Sequence, residues 1–179
     1  IDVCWFGMGD NQYFNVGLDD LFSHSDALAY LRRTGFDVRL SILTNMRALT
    51  ADRMAMLARL PIRADVLEWS LADEHDCLSR SLLAFLPVNA QPFSTAKSHN
   101  RAVTALTHGV QVLSQGYPLY SDFAEFIYDQ PAQFLIDLGN GRMRLGPQSI
   151  KRLDPLLREI ADPRVQAQRL VGFLSGLKA

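Results

Sequence analysis

Cysteine is nearly absent from this 179-residue chain, which carries only Cys4 and Cys77. A small secreted scaffold stapled by disulfides has several pairs, so the composition points to a reducing, cytosolic setting and two buried thiols. Long apolar runs are missing too. Residues 82–88 form the longest, far short of the roughly 20 that cross a bilayer, and no signal-peptide pattern precedes them. Charge of one sign is also lacking. The formal net charge is −1 and the basic residues, mostly Arg, are scattered, which leaves no field to draw in nucleic acid or anionic membrane. An initiator methionine is absent as well. The chain opens on Ile1-Asp2-Val3-Cys4-Trp5-Phe6, inside what reads as a core strand, so it is expected to be a domain excised from a longer chain.

What is present is a core-forming fraction: 48% of residues are hydrophobic, in a length that suits one domain over 1–179. Short apolar runs alternate with amphipathic stretches. Strands are expected at 3–6, 36–43, 64–69, 81–87 and 110–113. Helices are expected between them at 18–34, around Met54, Leu57 and Leu60, at 72–80 and at 98–108. Beyond residue 113 the pattern loosens. It predicts a short helix over 122–128, strands at 134–138 and 142–145 around Gly139-Asn140-Gly141, and closing helices at 149–160 and 163–177. Five alternations of strand and helix predict a Rossmann-like α/β fold, a parallel sheet with helices on both faces. The run at 81–87 has the continuous apolar character of a central strand buried on both sides.

In such a sheet, ligands sit beyond the carboxyl ends of the strands, where loops lead into helices. Gly7-Met8-Gly9 directly follows the first strand, and glycines there let backbone approach a phosphate or simply make a tight turn. Ser94-Thr95-Ala96-Lys97-Ser98-His99-Asn100-Arg101 opens a helix whose free amides and dipole favour an anion. Lys97 and Arg101 are four apart, which predicts one helical face and a shared phosphate. Glu68-Trp69 ends a strand at the ligand edge, where an aromatic can stack on a base or pack in the core. Asp73-Glu74-His75-Asp76 has metal-ligand residue types, but four consecutive helical side chains diverge, so no metal site is expected. His24, His99 and His108 have no acidic partner by spacing, so no Ser-His-Asp assembly can be drawn.

The stretch Lys97-Ser98-His99-Asn100-Arg101-Ala102-Val103-Thr104-Ala105-Leu106-Thr107-His108-Gly109-Val110-Gln111-Val112-Leu113 resembles the donor-site helix and following strand of the C-terminal domain of GT-B glycosyltransferases. The order of elements around it is similar to that family's across nearly the whole chain, down to closing helices joined by Asp162-Pro163-Arg164. The resemblance implies the C-terminal half of a GT-B architecture that binds a nucleoside-diphosphate sugar without cofactor or metal. It implies that Lys97, Asn100 and Arg101 contact the donor pyrophosphate and that Gly7 and Gly9 border it. Glu68, Trp69, Ser70 and Thr104 would border ribose and base. The implied reaction is sugar transfer to a glycan or lipid-linked acceptor held by an absent N-terminal domain. The isolated domain is expected to be inactive. The full-length protein is expected in the cytoplasm, at the inner face of the membrane where the acceptor is lipid-linked.

One departure stands out. Many retaining members carry two Glu residues eight apart around this helix, and the matching positions here are Ala96 and Thr104. Three other readings stay open. They are a non-catalytic binding or regulatory module of the same fold, a sugar-nucleotide epimerase on the same plan, and a flavodoxin- or receiver-like signalling domain. The last lacks the acidic cluster a receiver needs, since Gly7, Met8 and Gly9 stand at the end of the first strand.

Overall fold

The computed structural model describes residues 1–33 and 35–177. They divide into two compact units, the first within Ile1–Arg144 and the second beginning at Leu145. The first is a six-stranded, wholly parallel sheet in the order β3-β2-β1-β4-β5-β6. Its strands are β1 (Asp2–Phe6), β2 (Arg39–Thr44), β3 (Arg63–Glu68), β4 (Leu83–Phe85), β5 (Gln111–Leu113) and β6 (Ile127–Tyr128). This is the doubly wound α/β arrangement, and the order reverses direction between β1 and β4, where a crevice opens at the strands' carboxyl ends.

Alternation along the strands splits the core in two. Val3 and Trp5 of β1, Leu40 and Ile42 of β2, and Leu83 and Phe85 of β4 pack in one cluster. That cluster also takes Leu18 and Leu21 of α1 (Leu18–Ser23), Leu28 and Leu31 of α2 (Ser25–Arg32), and Phe134 of α6 (Pro131–Gly139). The other face is covered by α4 (Leu71–Arg80), which lies against β1 and β2, and by α5 (Asn100–Thr107), which lies against β5. There Cys77 of α4 meets Cys4 of β1, both buried and free. Their hydrogen bond and burial hold Cys4 well toward its neutral form, while the same bond lowers Cys77 to about 7. Helix α3 (Ala51–Leu57) buries Leu57 and leaves Met54 exposed.

Several sequence expectations need correction. The helix expected over 18–34 breaks at His24 into α1 and α2, and its expected last residue, Thr34, lies outside the described residues. Residues 134–138 are helical, not extended: Pro131 starts α6 in the first turn, where its missing N–H costs nothing. Residues 142–145 form no strand. The short helix expected over 122–128 is one 3-10 turn, Ser121–Phe123, followed by β6.

The second unit holds α7 (Ile150–Ala161) and α8 (Pro163–Gly176). Asp162 caps α8 by accepting from the Arg164 amide at 2.8 Å, and Arg169 pairs with Glu159 at 2.9 Å. No described helix is long and apolar enough to cross a membrane.

Candidate functional site

The turn after β1 is shaped by what its glycines exclude. Gly7 has a φ of +140°, and a Cβ there would stand 3.2 Å from Cδ of Arg101. A side chain at Gly7 would therefore press on Arg101, which lies across the strand end. Its guanidinium stacks over Trp5, with Cζ 5.8 Å from the ring centroid. Gly9 is different. It is buried, and a Cβ would fall 2.4 Å from Thr44 Oγ1 and 2.6 Å from Ala48 Cβ. Its amide donates to Asn45 Oδ1 at 2.9 Å, so Gly9 joins two loops of the fold and presents nothing to a ligand.

A cleft of about 440 Å³ opens beside Gly7. Gly7, Glu68, Trp69, Asn100, Arg101 and Thr104 all line it, although they come from three distant segments. Glu68 ends β3. Trp69, 46% exposed, follows it, and its indole N–H donates to Glu74 Oε2 at 2.6 Å. Ser70 does not line the cleft. Its hydroxyl caps α4, accepting from the Asp73 amide at 3.1 Å and donating to the Asp73 carboxylate at 2.5 Å.

The pairing of Lys97 with Arg101 on one helical face is overturned. A one-turn 3-10 helix, Pro92–Ala96, precedes Lys97, which has extended backbone (φ −70°, ψ 145°), and α5 begins only at Asn100. Lys97 Nζ bonds Asp20 Oδ2 at 2.9 Å, with side-chain exposures of 13% and 0%. Asp20 also accepts from the Gly17 amide at 3.0 Å and the Asn89 amide at 2.8 Å. This buried carboxylate gathers three donors from three loops and cancels the Lys97 charge.

Arg101 stays available. Among the described residues it forms no ion pair, and α5 has no side-chain cap, so its first amides add their dipole to that charge. A second cavity, about 590 Å³, carries Gly17, Asp20, Arg47 and Lys97 and shares Met8, Asn100 and Arg101 with the first. The two clefts thus meet at the amino end of α5. Nearby, the Tyr120 phenol is buried beside Arg101, and burial pushes its pKa up against the lowering effect of the Arg101 guanidinium.

The acidic stretch on α4 disperses. Asp73 serves the cap, Glu74 holds the indole, and His75 Nδ1 lies 3.1 Å from His108 Nε2. His99 gains an acidic neighbour that spacing did not reveal, Asp122, at 4.0 Å. Among the described residues no group of three or more His, Cys, Asp or Glu is arranged to hold a metal ion. The residues that sequence reasoning missed are Glu74 and Asp20. Glu74 reads as a dipole-compensating acid in the first turn of a helix, and Asp20 reads the same way on α1. No family model matches the chain, and no curated protein matches it in sequence.

Proposed function

We propose that the first unit is the nucleotide-sugar-binding half of a GT-B glycosyltransferase, acting on a glycan or lipid-linked acceptor. The observation that carries this reading is the convergence of Gly7, Glu68, Trp69, Asn100, Arg101 and Thr104 on one cleft at the crevice side of a doubly wound sheet. In this reading the base stacks on Trp69, and the diphosphate reaches Arg101 and the uncapped start of α5. Charge that develops on the departing nucleoside diphosphate is met there by a guanidinium and oriented amides, which need no reorganisation as the glycosidic bond breaks. Gly7 keeps the approach open.

Titration calorimetry with UDP, GDP and their sugars tests it. A charge-assisted hydrogen bond contributes roughly 1.5–3 kcal/mol, so Arg101→Ala should weaken diphosphate binding by about 10- to 100-fold. Absence of binding by any of these ligands, or an unchanged affinity in Arg101→Ala, rules the reading out.

A non-catalytic binding module is the second reading. Two observations favour it: Thr104 brings no carboxylate to the cleft, and Asp20 neutralises Lys97. It predicts binding of the same ligands with no release of nucleoside diphosphate from the sugar donor by the full-length protein.

A further inference from the structure

The cleft beside Gly7 is electrostatically polar along its length. Arg101 lies against Gly7 at the end of β1, whereas Glu68 ends β3, two strands away in the order β3-β2-β1, and Glu74 of α4 is bonded to the neighbouring Trp69. Two carboxylates make the Trp69 end hostile to phosphate and receptive to hydroxyl or N–H donors. Glu74 is the better placed of the two. Its Oε2 accepts the Trp69 indole N–H at 2.6 Å, which pins the carboxylate at the rim of the exposed ring. Its second oxygen, Oε1, has no partner among the described residues. Glu68 is more exposed and is not held by any such bond.

A base stacked on Trp69 carries its sugar at the ring's rim, where this carboxylate is fixed. A ribose offers two adjacent hydroxyl donors, and a carboxylate with free lone pairs is the usual protein group for them. We infer that Glu74 is the ribose-binding carboxylate of this cleft and sets a preference for ribonucleotides over deoxyribonucleotides. The inference rests on the nucleotide reading above and adds a direction to it: nucleoside at the Trp69–Glu74 end, diphosphate at the Arg101 end. The indole bond therefore has two consequences. It orients the stacking platform, and it leaves Glu74 half-satisfied for a ligand.

The test compares UDP and GDP with their 2′-deoxy and 3′-deoxy counterparts by calorimetry, using the wild type, Glu74→Gln, Glu68→Gln and Trp69→Phe. Wild type should prefer the ribonucleotide by about 10-fold, the value of one charge-assisted hydrogen bond. Glu74→Gln should bring that ratio near one while the diphosphate still binds. Trp69→Phe removes the indole N–H that holds Glu74 and should narrow the ratio, whereas Glu68→Gln should keep it. A purely structural role for Glu74 would weaken all six ligands equally, leave the ratio intact and overturn the inference. Loss of the ratio in Glu68→Gln instead would also overturn it. No binding of any nucleotide sinks the underlying reading, whereas binding without ribose discrimination sinks this inference alone.

Discussion

Replacing Lys97 with methionine separates a structural lysine from a phosphate-binding one. Asp20 is fully buried and holds Lys97 Nζ at 2.9 Å, with two backbone amides as its other donors. Removing one partner of a buried ion pair generally costs about 3–5 kcal/mol, because the remaining charge stays desolvated. Here two N–H donors persist and methionine refills most of the lysine stem's volume, so the lower end, about 3 kcal/mol, is expected. In a domain of this size each kcal/mol moves Tm by roughly 2–4 °C, which gives a drop of about 6–12 °C.

Urea and thermal denaturation followed by circular dichroism read this directly. The double variant Asp20→Asn/Lys97→Met completes a cycle: Asp20→Asn should cost less in the Lys97→Met background than in the wild type, because the pair is already broken. A stability loss below about 1 kcal/mol in Lys97→Met, or costs that simply add, would refute the internal latch. A large drop in nucleotide affinity without loss of stability would return Lys97 to the ligand.

Gly9→Ala places a methyl 2.4 Å from Thr44 Oγ1 and 2.6 Å from Ala48 Cβ. Overpacking of that kind costs about 1–3 kcal/mol, measurable as a lower urea midpoint with an unchanged slope. Asp10 is held below its ordinary pKa of 3.8, first by the Arg47 hydrogen bond and then by Asn45. A depressed carboxyl pKa stabilises the fold above the unfolded value and loses that contribution as pH falls through the folded one. Arg47→Ala should move the Asp10 carboxyl resonance midpoint upward toward 3.8 in an NMR titration, and an unmoved midpoint would deny the pairing.

The strand–helix alternation up to residue 113 was legible because the strands there, apart from the more polar β3, carry compact apolar runs bounded by turn residues. Beyond that point local composition misled. Phe134-Leu135-Ile136 reads as extended, yet Pro131 supplies a helix start and Phe134 packs into the core cluster beside α2. Tertiary packing and one positional proline outweighed propensity. The break at His24 is similar, since its ring bonds the Asp20 carbonyl at 3.0 Å while its backbone ends α1 and opens α2.

The site was half legible for a related reason. Glu68, Trp69, Asn100, Arg101 and Thr104 were visible as residues at strand ends and a helix start, and topology brings those places together. The Lys97–Asp20 bond joins residues 77 apart, and no periodicity carries such a contact. Spacing of four implied a shared helical face only on the premise that Lys97 is helical, and the extended backbone after Ala96 removes it.

The charge arithmetic of the cleft changes accordingly. With Lys97 committed to Asp20, Arg101 is, among the described residues, the cation without an ion pair at the amino end of α5, and it shares its cleft with the carboxylates of Glu68 and Glu74. An anionic group entering the cleft is drawn to one end and repelled from the other. In the proposed reading, that asymmetry would orient an elongated ligand with its anionic part toward Arg101.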